Sequence, residues 1–152
     1  MDIRDYKTFK DDSTKELQYV IKKYNLSYSE HLILKYKESN EETAFFSNSF
    51  CALKISWLEF FPRIIVSTEF FLLNDLDEIK IDHQKIFNFL DIDEDEYYRF
   101  LISFNNDSQS TNNYTIRDII LKQLNEINII IIKFYDDIFN GKKTYNDYKK
   151  KI

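Results

Sequence analysis

The 152 residues contain one cysteine, one glycine, one proline, one methionine and one tryptophan, and several of these scarcities exclude something. A lone cysteine rules out an intramolecular disulfide framework. A lone glycine, Gly141, rules out a glycine-rich phosphate loop. Sheets usually draw on glycine for tight hairpins and bulges, so its scarcity predicts helices joined by Asn, Asp and Ser turns. No apolar run approaches the roughly 20 residues that cross a bilayer, and residues 1–6 lack the apolar core of a signal peptide. These absences predict a cytoplasmic protein with no membrane segment.

Positive charge is also in the minority. Lys and Arg number 21 against 26 Asp and Glu, for a formal charge of −5. That balance disfavours direct nucleic-acid binding and suits a basic protein partner. The two histidines, His31 and His83, form neither a His-x-x-x-His nor a Glu-x-x-His pair, so no metal and no cofactor is expected. Cys51 lies in a strongly apolar segment and reads as a small buried hydrophobe rather than a nucleophile.

Aromatic and aliphatic side chains are abundant instead, with 14 Phe, 11 Tyr and 43% hydrophobic residues. That is apolar area enough for one domain over 1–152. The clearest pattern in it runs from 116 to 139. At about 100° per residue, Ile116, Ile120, Leu124, Ile127, Ile131, Phe134 and Ile138 share one side. Asp118, Lys122, Glu126, Lys133 and Asp137 share the other, where Ile129 is the exception. Thr115 with Asp118 opens this helix, and Asn140-Gly141 closes it. Within 41–61, Phe46, Phe50, Leu53, Trp57 and Phe60 recur at helical steps after a Ser39–Glu42 capping pair, and Pro62 ends the run.

The expected fold is therefore mainly α: a single compact domain of about six or seven helices around two long apolar ones, 41–61 and 116–139. Capping pairs at Ser13–Glu16, Ser27–Glu30, Asp75–Glu78 and Asp93–Glu96 supply the shorter helices. Alternation in 32–37 and 63–73 supports an α+β alternative with a small sheet. Residues 1–12 read as an arm anchored by Tyr6 and Phe9, 105–113 as an exposed polar loop, and 142–152 as a basic, frayed C-terminal tail.

The most acidic stretch holds Asp75, Asp77, Glu78, Asp82, Asp91, Asp93, Glu94, Asp95 and Glu96. A calcium loop beginning at Asp91 fails, because Glu96 stands where the turn needs glycine and Ile102 where a bidentate Glu belongs. Helix capping accounts for part of the stretch. The rest reads as a docking surface for a basic protein. The function this implies is a non-catalytic inhibitor, an immunity or antitoxin-type protein that neutralises a basic partner. One alternative is a helical groove-forming module of Bcl-2-like architecture type, although the Asn-Trp-Gly-Arg segment of that family is absent. An enzyme using Glu59 or Glu69 amid aromatics comes last.

Overall fold

The computed structural model describes residues 6–36, 42–60, 62–103 and 115–151, and the architecture is α+β. In chain order come α1 (Phe9–Glu16), α2 (Gln18–Lys23), β1 (Ser27–Tyr28), α3 (Glu30–Tyr36), β2 (Thr43–Ser47), β3 (Cys51–Phe60), β4 (Arg63–Leu73) and β5 (Glu78–Lys80). Then follow α4 (Ile86–Phe89), α5 (Glu94–Ile102), α6 (Ile116–Phe134), α7 (Asp136–Phe139) and α8 (Tyr145–Lys151). The strands form one antiparallel sheet in sequence order, β1-β2-β3-β4-β5.

This corrects the helical expectation. The segment 41–61 is no helix: its described residues hold β2 and β3, joined as a hairpin with Phe46 opposite Leu53 and Ala44 opposite Ile55. Two periods coexist in that stretch. The helical steps through Phe46, Phe50, Leu53 and Trp57 compete with a period of two through Cys51, Leu53, Ile55 and Trp57, and all four of the latter are buried. Pairing with β4 along the whole of β3 decides for the strand.

Nor was glycine needed for the turns. At the β2–β3 turn, the Asn48 Oδ1 accepts from the amides of Phe50 at 2.8 Å and Cys51 at 3.0 Å. At the β4–β5 turn, the Asn74 Oδ1 accepts from Leu76 at 2.8 Å and Asp77 at 2.6 Å. A short amide side chain thus supplies the turn that glycine would otherwise make. Pro62 lies in the β3–β4 turn, where its missing N–H costs no ladder bond.

The α+β alternative is right in class and half right in place. Residues 63–73 are β4, but 32–36 belong to α3, and residue 37 lies outside the described residues. α3 is capped by Ser29, whose Oγ accepts from the Leu32 amide at 3.4 Å, rather than by Ser27. The Ser13–Glu16 pair caps nothing, since α1 already begins at Phe9 and Ser13 is fully buried inside it. Asp75–Glu78 opens a turn and β5 instead of a helix. The polar loop 105–113 lies outside the described residues.

α6 packs along β4 and against α1 and forms the spine of the main core. Ile119, Ile120, Leu124, Ile127 and Ile131 meet Phe46, Leu53, Ile55, Ile64, Phe70 and Leu72 there. On the opposite face of the sheet, α3 covers a smaller cluster of Leu32, Phe45, Ala52 and Phe71. Tyr6 and Phe9 are buried in the main core, Phe9 as the first residue of α1. The basic C-terminal segment is built into the fold: α8 buries Tyr145 and Tyr148.

Candidate functional site

The nine acidic residues separate into two groups. Asp75 and Asp77 occupy the β4–β5 turn, Glu78 begins β5, and Asp82 follows it. Three of these four have local work. The Tyr145 hydroxyl donates to Asp77 at 2.9 Å, and that bond holds the Asp77 carboxyl below its ordinary range. Glu78 is ion-paired with Lys35. The Asp82 Oδ1 accepts from the Gln84 amide at 2.8 Å. Asp75 is exposed.

The second group gathers at the start of α5. Asp91 takes a left-handed φ of 55° and meets the Lys143 Nζ at 3.0 Å. Asp93 caps α5, its Oδ1 accepting from the Glu96 amide at 3.2 Å. Glu94, Asp95 and Glu96 fill the first turn, where the helix dipole favours negative charge. Glu96 approaches the Lys133 Nζ at 3.8 Å.

The fold then adds carboxylates that a linear reading of 75–96 missed. α6 ends at Phe134, and the chain turns at Tyr135 into the short α7. This corner swings Asp136 and Asp137 across to the head of α5. Asp91, Asp93 and Glu96 line one wall of a cleft of about 390 Å³, and Asp136, Asp137 and Lys133 line another. Asp136 is held in place by the Tyr24 hydroxyl, which donates to its Oδ1 at 2.6 Å. The apolar period runs on to Ile138, so nothing local in the sequence marks the corner after Phe134 that places them there.

No family model, curated protein or solved structure matches the chain.

The chemistry of the cleft is that of a charged surface. Its five carboxylates line opposing walls, and among the described residues no cluster of His, Cys, Asp or Glu is arranged to hold a metal ion. Cys51 is buried, and burial pushes its thiol up to about 12, far from the range of a thiolate nucleophile at neutral pH. His83 is exposed, its ring edge-on to Phe87 with centroids 5.9 Å apart, rather than on a buried helical stripe. Glu69 lies between Lys54 at 3.9 Å and Lys80 at 3.2 Å, on the face of the sheet away from α6. Glu59 is exposed near the end of β3. The Glu126 carboxyl is shifted upward: burial raises it, Lys122 lowers it in part, and its Oε1 has no hydrogen-bond partner. No helix among the described residues is long and apolar enough to cross a membrane.

Proposed function

We propose that this chain is a non-catalytic, cytoplasmic protein-binding protein that neutralises a basic protein partner, in the manner of an inhibitor, immunity protein or antitoxin. The supporting observation is the convergence of Asp136 and Asp137 with Asp91, Asp93 and Glu96 about one cleft. Lysines answer only part of that charge, Lys143 at Asp91 and Lys133 at Glu96. Like charges held on rigid helix ends raise the local concentration of a cationic surface and fix the orientation in which it docks. The helical-groove alternative drew on the helical pattern of the chain, and the hairpin over 43–60 leaves it less support.

The test is affinity capture from the native cell at low salt, comparing the wild type with the triple variant Asp93→Lys, Glu96→Lys and Asp137→Lys. The expected result is a basic protein retained by the wild type, eluting as salt rises, with affinity reduced about 100-fold or more in the variant. Equal retention by a variant that folds normally by circular dichroism would sink the acidic docking reading. A control with the same charge change at Asp11, Asp75 and Glu30 should bind as the wild type does.

A further inference from the structure

The outer edge of β4 leaves part of its main chain without a partner strand. In an antiparallel ladder, alternate residues turn their N–H and C=O toward one neighbour and then the other. The outward set on β4 is fixed by two observed bonds: the Val66 amide donates away from β3, to the Gln123 Oε1 at 2.9 Å, and the Phe70 carbonyl accepts from the Ile81 amide at 2.9 Å. Ile64, Val66, Thr68 and Phe70 therefore present their main chain to the outer edge.

That edge is covered at both ends. At one end the Gln123 side chain from α6 stands in for a strand, donating from Nε2 to the Ile64 carbonyl at 2.8 Å while accepting from Val66. At the other, β5 pairs with Phe71, Leu72 and Leu73. Between them β5 has left the sheet, and no described residue bonds to the N–H or C=O of Thr68 or to the C=O of Val66. The vacated space is a groove of about 790 Å³. Thr68 and Phe70 form one side of it, Ile81 and His83 the other, with Ile86 and Tyr135 also lining it.

We propose that this gap receives an extended segment of a partner polypeptide, which adds to β4 as a short strand. The unpaired groups specify the occupant. A carbonyl, an amide and a carbonyl at strand spacing are complemented by extended main chain, which offers donors and acceptors at the same repeat. The apolar lining of Ile81, Ile86 and Tyr135 selects an apolar side chain at the position facing inward, and the next side chain along points to solvent. This surface is distinct from the acidic cleft, and it stands or falls separately.

The test uses a blocked peptide of alternating valine and threonine with a lysine at each end. Binding is followed by amide hydrogen exchange and by the nitrogen–proton NMR spectrum of the full chain. The expected result is slowing of Thr68 amide exchange by about tenfold or more at saturating peptide, with resonance shifts concentrated at Val66–Phe70, Ile81–Gln84, Ile86 and Tyr135. The same peptide N-methylated at alternate amides should bind far more weakly, because it cannot donate to the Thr68 carbonyl. Thr68→Pro, which removes an outward-facing N–H, should also weaken binding, whereas Thr68→Val should not. An unchanged Thr68 amide at millimolar peptide, or equal binding of the N-methylated peptide, overturns the proposal even where Thr68→Pro fails to fold.

Discussion

Asp12 shows how much a single side chain can hold together. It is buried on α1, and it accepts from the Tyr6 hydroxyl at 2.7 Å, the Thr8 hydroxyl at 2.8 Å and the Arg117 Nη2 at 3.0 Å, tying the N-terminal segment to α6. Burial alone would raise its pKa, but the bonds from Arg117, Tyr6 and Thr8 outweigh burial and leave it lowered. A lowered folded-state value means that this stability is fully present above the unfolded value of about 3.9 and is lost as pH falls through the folded one. Asp12→Asn should cost about 2 kcal/mol at pH 7 in urea unfolding and should flatten the acid side of the stability curve. A pH profile unchanged by the substitution would show that Asp12 is not the group responsible. Gly141 is the other decisive residue. Its φ is +82°, and an added Cβ would lie 2.6 Å from the Phe50 ring. Gly141→Ala should therefore lose about 1–3 kcal/mol, only part of it recovered in a Phe50→Ala background, because the backbone strain stays when the clash goes.

At the scale of elements, helices were legible in the sequence where their signals are local. Thr115 accepts from the Asp118 amide at 3.1 Å, and Asp93 from Glu96, as the capping pairs predicted. Strands were less legible, because a strand is stabilised by residues far away in sequence. β3 owes its form to β2 on one side and β4 on the other, and its helical periodicity is an accident of where Phe46 and Phe50 fall about a turn. The same contrast separates the two faces of α6. Ile131 is fully buried, while Ile129 is 41% exposed, so the apolar residue left on the charged face makes no second core contact. Ile131→Ala should cost about 2–5 kcal/mol. Ile129→Ser should change unfolding stability by no more than about 0.5 kcal/mol. Comparable losses at the two positions would mean that α6 is covered on both sides.

At the scale of the whole molecule, α8 is packed into the structure through Tyr145 and Tyr148. Asp147, in the first turn of α8, accepts from the Thr144 amide and hydroxyl at 2.9 and 3.1 Å, tying the start of that helix to the preceding residue. The Tyr148 ring packs edge-on to Phe89, with centroids 5.1 Å apart, and its hydroxyl accepts from the Asp82 amide at 3.1 Å. Tyr148→Ala should cost about 3 kcal/mol by thermal or urea unfolding, and substitution of the exposed Lys149 and Lys150 should cost almost nothing. Lysine runs at a chain end suggest solvation. What they hide is the spacing of Tyr145 and Tyr148, which puts both rings on one side of a short helix. The acidic site divides in the same way. The sequence by itself determined the negative balance, the long α6 with its start, the cap of α5, and the acids Asp91, Asp93 and Glu96, because each depends on composition or on neighbours three or four residues apart. Only the tertiary structure decided that 43–60 is a hairpin, that Asp75, Asp77, Glu78 and Asp82 do not line the cleft those acids line, and that Asp136 and Asp137 do. Those outcomes depend on strand pairing, on Asn48 donating to the carbonyls of Tyr24 at 2.9 Å and Phe139 at 3.0 Å, and on the corner after α6. Such contacts join residues distant in the chain, and no local periodicity carries their energy.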